Sequence, residues 1–278
     1  MRIIESSFIS LSLAFSCMIS GYAQDIFEPT ATAPAADQAN DLALKLANPV
    51  ASLISVPVQA NFDNGLGPSG DGSVMRVNIQ PVVPLSLSVD WNLISRTILL
   101  VIDQSSLPPG ASASGLGDTV QSFFFSPEAP INDWIFGFGP VFLLPTATDS
   151  ALGGEKWGAG PTLVALKQLG PWTVCCLGNH LVSFAGDSSR NDVNATFLQP
   201  FVSYITDSKT TIGLSLESTF DWQTDQWSVP VNFTVNQLLM VGDQPIQIGA
   251  GVRYWAESPN NGPEDWGFRL QVTFLFPR

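Results

Sequence analysis

The sequence predicts an all-β fold: a transmembrane antiparallel up-and-down β-barrel of about 12 strands, preceded by a short helix. Three observations predict it. The chain is apolar, with a mean hydropathy of +0.21, yet no stretch reaches the roughly 18 to 20 uninterrupted apolar residues that a spanning helix needs. The apolar residues are instead diluted by alternation, the period of a strand with two different faces. The connections between the alternating runs are, in turn, long and short.

The last run shows the alternation most plainly. Trp266, Phe268, Leu270, Val272, Phe274 and Phe276 share one face, and Gly267, Arg269, Gln271, Thr273 and Leu275 the other. An arginine on a half-buried strand is costly unless solvated or paired, so the arginine side faces an interior and the aromatic side faces lipid. Upstream, Ile212, Leu214, Leu216, Phe220 and Trp222 oppose Thr211, Gly213, Ser215, Glu217, Thr219 and Asp221. Trp227 to Val235 and Ile246 to Tyr254 repeat the pattern, opposing Asn232 and Asn236, then Gln247 and Arg253. Near the start, Val77 and Ile79 oppose Arg76, Asn78 and Gln80, while Leu85, Leu87, Val89, Trp91 and Leu93 oppose Asp90 and Asn92.

In chain order, residues 1–23 read as a secretory signal. Arg2 supplies the positive charge, Phe8 to Ile19 the apolar stretch, and Gly21-Tyr22-Ala23 the small residues for cleavage after Ala23. Glu5 is unusual there, and Phe15 two residues before Cys17 disfavours a lipoprotein signal. Residues 24–47 are a flexible leader ending in a short helix over Asp41 to Ala47, with Asp37 or Asn40 as caps. The barrel then occupies 48–278, with strands at 50–62, 73–83, 85–101, 119–127, 133–145, 155–167, 171–184, 192–206, 210–222, 226–239, 245–256 and 265–276. Outer loops at 63–72, 102–118, 146–154, 185–191 and 257–264 are long. The fifth, Gln223 to Asp225, is tight, and inner turns such as 168–170, 207–209 and 242–244 are short. Trp134, Trp157, Trp172, Tyr204, Trp222, Trp227, Tyr254 and Trp266 near strand ends suit interfacial girdles.

Three features resist the pattern. Pro57, Pro81, Pro140, Pro161, Pro200 and Pro230 lie inside assigned strands, where each removes a ladder hydrogen bond. His180 takes the parity of the lipid face, and the run 192–206 has no clean parity.

Ordered fragments resemble a known family: Leu53 to Gln59, Ile79-Gln80-Pro81, Asn92 to Arg96, Gly115 to Asp118, Gly137 to Pro140, Leu144-Pro145-Thr146, Lys156-Trp157-Gly158, Gly160-Pro161, Ser183 to Gly186, Gln199-Pro200-Phe201 and Phe274 to Arg278. Over roughly residues 41–278 the chain resembles the outer-membrane transporter family of the MetA type, labelled as the meta-pathway of phenol degradation. The resemblance implies an outer-membrane barrel that passes aromatic or other hydrophobic solutes, and the mid-strand prolines belong to its pattern. Cys175-Cys176 and His180 depart from it.

A formal net charge of −13 argues against nucleic acid, which needs clustered Lys and Arg. Many acids, Asp63 among them, fall in expected loops. Neighbouring strand residues point to opposite faces, so Cys175 and Cys176 read as two small apolar side chains without a disulfide. Strand parity nominates Arg76, Asn78, Gln80, Asp90, Asn92, Arg96, Glu217, Asp221, Asn232, Asn236, Gln247, Arg253, Arg269 and Gln271 as lumen-lining residues. Their arginines and carboxylates suit a transverse field that orients solutes, or a salt-bridged network that only fills the lumen. Gly137, Gly139, Gly158 and Gly160 share inward parity, either as a groove for the helix or as relief beside Pro140 and Pro161.

No enzymatic activity, cofactor or metal is expected. A serine hydrolase needs a base near its serine, and His180, the single histidine, lies on the opposite strand face from Ser183. The expected partners are the lipid bilayer of the outer membrane, a small solute and the barrel-assembly machinery. A non-conducting structural or adhesive barrel is the alternative to a channel, with a membrane lipase or esterase behind it.

Overall fold

The computed structural model describes residues 35–107 and 111–277. The expected signal segment 1–23 and the leader up to residue 34 lie outside them. Helix α1 (Ala35–Leu46) is followed by fifteen strand segments: β1 (Ile54–Leu66), β2 (Gly72–Ile79), β3 (Val82–Ser86), β4 (Trp91–Ser105), β5 (Ser112–Leu116), β6 (Thr119–Pro127), β7 (Trp134–Leu144), β8 (Lys156–Leu169), β9 (Trp172–Gly186), β10 (Asn194–Ile205), β11 (Thr210–Leu216), β12 (Ser218–Asp221), β13 (Gln226–Val241), β14 (Gln244–Glu257) and β15 (Trp266–Phe276). Three pairs are halves of one crossing, broken at Gln80-Pro81 (β2/β3), Gly117-Asp118 (β5/β6) and Glu217 (β11/β12). The fifteen segments therefore make twelve antiparallel crossings. Each pairs with its sequence neighbours, and β15 closes on β1 from Ile54↔Phe276 to Phe62↔Phe268. Closure leaves no sheet edge, which is what lets strands sit in hydrocarbon with every backbone polar group paired.

The outer face is apolar. Phe136, Phe138, Leu163, Val174, Leu214, Phe233, Ile248, Val252, Phe268 and Leu270 all stand exposed on it. Trp134 and Trp172 open strands at one rim, while Trp157, Trp222, Trp227, Tyr254 and Trp266 stand exposed at the other. An exposed apolar belt flanked by aromatics suits a membrane-spanning barrel. No described helix is long and apolar enough to cross a membrane.

The prolines resolve into breaks in the ladder. Pro81 is the β2/β3 break, and Pro57 sits opposite it, its carbonyl accepting from Gln80 N–H at 2.8 Å. Pro230 marks a bulge in β13. Pro140 and Pro161 face each other across β7 and β8, beside gaps in the pairing of β6 with β7 and of β8 with β9. Pro200 lies where β10 leaves β11 and takes up β12. In each place the missing N–H coincides with a ladder bond that is already absent.

Several expected boundaries need correction. The helix starts six residues before Asp41, so Asp37 and Asn40 are interior positions rather than caps. The first strand runs Ile54–Leu66 rather than 50–62, because residues 48–53 turn inward as a lead-in. Residues 87–90 form an inner turn although Leu87-Ser88-Val89-Asp90 alternates. The long loop expected at 102–118 is mostly a hairpin, with β4 and β5 paired from Val101↔Leu116 to Ser105↔Ser112. Its residues are polar because this part rises beyond the apolar belt, so it carries no strand-like hydropathy. The two-residue turns Gly170-Pro171 and Gly242-Asp243 place glycine at φ +57 and +61, the left-handed first position such hairpins require.

Candidate functional site: a two-sided lumen

The barrel interior has two unlike walls. β13, β14, β15, β1 and β2 send polar side chains inward in layers. Nearest the outer mouth, the Asp63 carboxylate, with no exposed side-chain surface, lies 3.2 Å from Arg76 and 3.4 Å from Arg253. It also accepts from the Trp255 indole N–H at 2.9 Å. The Arg253 guanidinium stacks 4.9 Å over the Trp255 ring. In the next layer Arg269 donates through both terminal nitrogens to Glu217 at 2.8 Å, and through Nε to Asn61 at 2.6 Å. Arg253 reaches the same glutamate at 4.0 Å. Below these, Gln271 donates to Asn236 at 2.5 Å and Gln59 links Gln271 with Asn78 at 3.4 Å each.

The opposite wall is apolar. Ile94, Phe124, Val164, Leu166, Cys175 and Leu177 form one buried cluster with Val50, and Phe197 and Phe201 pack against it. The lack of parity in β10 follows from this: its inward side mixes Phe197 and Phe201 with Gln199 and Ser203, while its outward side carries the exposed Leu198. Cys175 belongs to this wall while Cys176 is exposed on the other face, and both are free.

Helix α1 occupies the inner end of the lumen. Ala43, Leu42, Leu44 and Leu46 pack with Leu53, Ile205, Leu238 and Leu275, and Gln168 donates to the Leu44 carbonyl at 2.9 Å. Between helix and arginines lies a cavity of about 280 Å³. Leu46, Pro49, Leu53, Val82, Leu177 and Phe201 line one part, and Gln80, Arg96, Glu217, Asn236, Gln247, Arg269 and Gln271 another.

The residues nominated from parity divide as follows. Arg76, Arg253, Arg269 and Glu217 come together in one charged network. Asn78, Asn236 and Gln271 form the amide layer, and Gln80 accepts from Arg96 at 2.7 Å. Gln247 and Asn232 are buried. Asn92 is buried at the inner mouth, bonded to Ser52 at 3.2 Å and to Glu128. Two nominations need correction. Asp90 is exposed in the inner turn 87–90, and Asp221 accepts from Gln223 and Thr224 in the outer turn. The second buried carboxylate is Asp63, which sequence reading placed in a loop because Asp63-Asn64-Gly65 looks like a turn. Its parity with Gln59 and Asn61 was the available signal.

The inward glycines do not cradle the helix. A side chain on Gly137 would meet Val50 and Val164, and one on Gly139 or Gly160 would strike the carbonyls of Phe123 and His180. They permit close backbone approach beside the paired prolines. His180 points outward, its Nδ1 2.9 Å from Thr196 Oγ1, which also accepts from Trp222 Nε1 at 2.9 Å.

No protein-family model matches the chain, and no curated protein matches its sequence. Among solved structures it is similar to the COG4313 outer membrane channel from Pseudomonas putida F1, at 19% identity and a TM-score of 0.63, over 81% of this chain and 96% of that one. It also aligns with the KdgM porin in complex with disordered oligogalacturonate (13% identity, TM-score 0.42, 80% and 99% covered). A third match is the β domain of the Bordetella autotransporter BrkA (12% identity, TM-score 0.44, 80% and 100% covered). The first of these shares the fold: this chain is a closed twelve-crossing β-barrel of the outer-membrane kind.

Proposed function

We propose that the protein is an outer-membrane channel for small solutes with an apolar, often aromatic, body. The observation that supports this reading is the two-sided lumen, in which an aromatic and aliphatic wall faces ordered arginines and amides across a cavity. A barrel filled only for stability needs no cavity between the two. Fixed charges on one wall orient a solute's polar end, and the apolar wall lowers the cost of stripping water from its body. The fold shared with an outer membrane channel and the sequence resemblance to an outer-membrane transporter family support the same reading.

The non-conducting barrel is favoured by one feature, α1 at the inner end. A lipase reading has less support, since Ser183 lies on the face opposite His180, and the hydroxyl that His180 meets, Thr196, is held by Trp222. Planar-bilayer conductance of the refolded protein, with Arg76, Arg96, Arg253 and Arg269 replaced by Ala one at a time, tests the channel. Discrete conductance that changes in at least one variant is expected. A folded wild-type barrel with no conductance would overturn the reading.

A further inference from the structure

Most inward arginines have a carboxylate. Arg269 and Arg253 share Glu217, and Arg253 and Arg76 share Asp63, at the distances given above. Arg96 differs. Its hydrogen bond among the described residues goes to the neutral amide of Gln80, and no carboxylate lies within 4 Å of it among those residues. Together the four inward arginines meet two carboxylates, a surplus of +2 inside a chain whose overall charge is −13. A guanidinium has five N–H donors in a planar fork suited to a carboxylate, and Arg96 has donors to spare. It also sits at the seam between the walls. Ile94, two residues along the same face of β4, is fully buried in the apolar cluster, and Leu177 and Phe201 line the cavity that Arg96 enters.

We infer that this cavity binds a small amphipathic carboxylate, its head on Arg96 and its body against Leu177 and Phe201. The site deepens the channel reading and rests on it for the solute's presence in the lumen. A cavity of about 280 Å³ lies just below the usual range for ligand sites, ~300–1,000 Å³, which favours a single-ring acid over an oligosaccharide. Arg96 is a binding residue here, and Gln80 positions it.

The test is isothermal titration of the full chain, refolded in detergent micelles, with sodium benzoate, benzyl alcohol and sodium acetate, each corrected against empty micelles. Benzoate should bind saturably, benzyl alcohol and acetate at least tenfold more weakly, and Arg96→Gln should weaken benzoate at least tenfold. Arg96→Lys should retain part of the affinity. Equal binding of benzyl alcohol would remove the anion anchor, and equal binding of acetate would remove the apolar wall. Unchanged benzoate affinity in a folded Arg96→Gln would overturn the site, as would no saturable benzoate binding by wild type. Should Arg96→Gln fail to fold, the three-ligand comparison on wild type still decides. Bilayer recordings of the same preparation separate the two readings: binding without conductance removes the channel and keeps the site, and conductance without binding does the reverse.

Discussion

Replacing Glu217 by Gln removes the acceptor that holds Arg269. Both terminal nitrogens of that arginine lie 2.8 Å from the carboxylate, and Arg269 is 3% exposed. At 2.8 Å and an effective dielectric of ~20 the attraction is about 6 kcal/mol. Much of it offsets the desolvation of the two charges, so the net worth of the pair is smaller than this. Removing one partner is different, because the surviving charge stays buried and uncompensated, a loss of about 3–5 kcal/mol. Arg253 is buffered by Asp63, so the loss falls mainly on Arg269. Reversible urea unfolding in lipid vesicles, followed by tryptophan fluorescence, should show Glu217→Gln destabilised by about 3–5 kcal/mol. Glu217→Gln combined with Arg269→Gln should cost clearly less than the two single changes added together. A loss below about 1 kcal/mol, the value of an exposed pair, would refute the picture of a tightly paired, largely buried lumen layer.

Three further outcomes follow from the same geometry. Ala43 is 1% exposed where α1 meets Leu238 and Leu275, so Ala43→Asp should unseat the helix and raise single-channel conductance several-fold, whereas an unchanged step size would mean that α1 does not obstruct the inner end. Gly160→Ala places a methyl against the His180 carbonyl, and overpacking of this kind costs about 1–3 kcal/mol; wild-type urea stability would argue that the backbone there yields freely. At the outer rim, hydrogen bonding from Lys156, at 2.9 Å, holds the Asp192 carboxyl below the usual carboxylate range, helped by Ser183. A depressed folded pKa gives a contribution that is present above the ordinary Asp value and lost as pH falls through the lower folded one. A spin label at Asn191→Cys, with the native cysteines replaced, should stay immobile from about pH 7 to 5 and loosen only below ~3.9. Loosening near neutral pH would contradict the Lys156 tie.

Much of the barrel was legible because lipid imposes alternation. β15 reads directly from Trp266 to Phe276, since each outward side chain meets hydrocarbon and the inward ones meet Arg269's polar layer. Legibility failed where that constraint relaxes. The β4–β5 hairpin stands beyond the belt, so Asp103, Gln104, Ser112 and Ser114 looked like loop. The turn at 87–90 happens to alternate, and its Val89 is 89% exposed. The polar wall was largely legible from parity, whereas the apolar wall was not. Ile94, Phe124, Val164 and Leu177 face inward without polarity to mark them, and they blur the alternation of β4, β6, β8 and β9. Asp63 was hidden by a turn-like sequence, and of its partners Arg76 lies on the neighbouring hairpin strand while Arg253 is far from it in the chain. Such a site exists only once the sheet has closed.

The most direct test of a conducting, arginine-lined lumen is the reversal potential of single wild-type barrels in a planar bilayer under a potassium chloride gradient. A surplus of two positive charges on the lumen wall predicts discrete steps with a reversal potential displaced toward chloride, and a smaller displacement in Arg96→Gln. A reversal potential displaced toward potassium, or a folded barrel that passes no current, would contradict it.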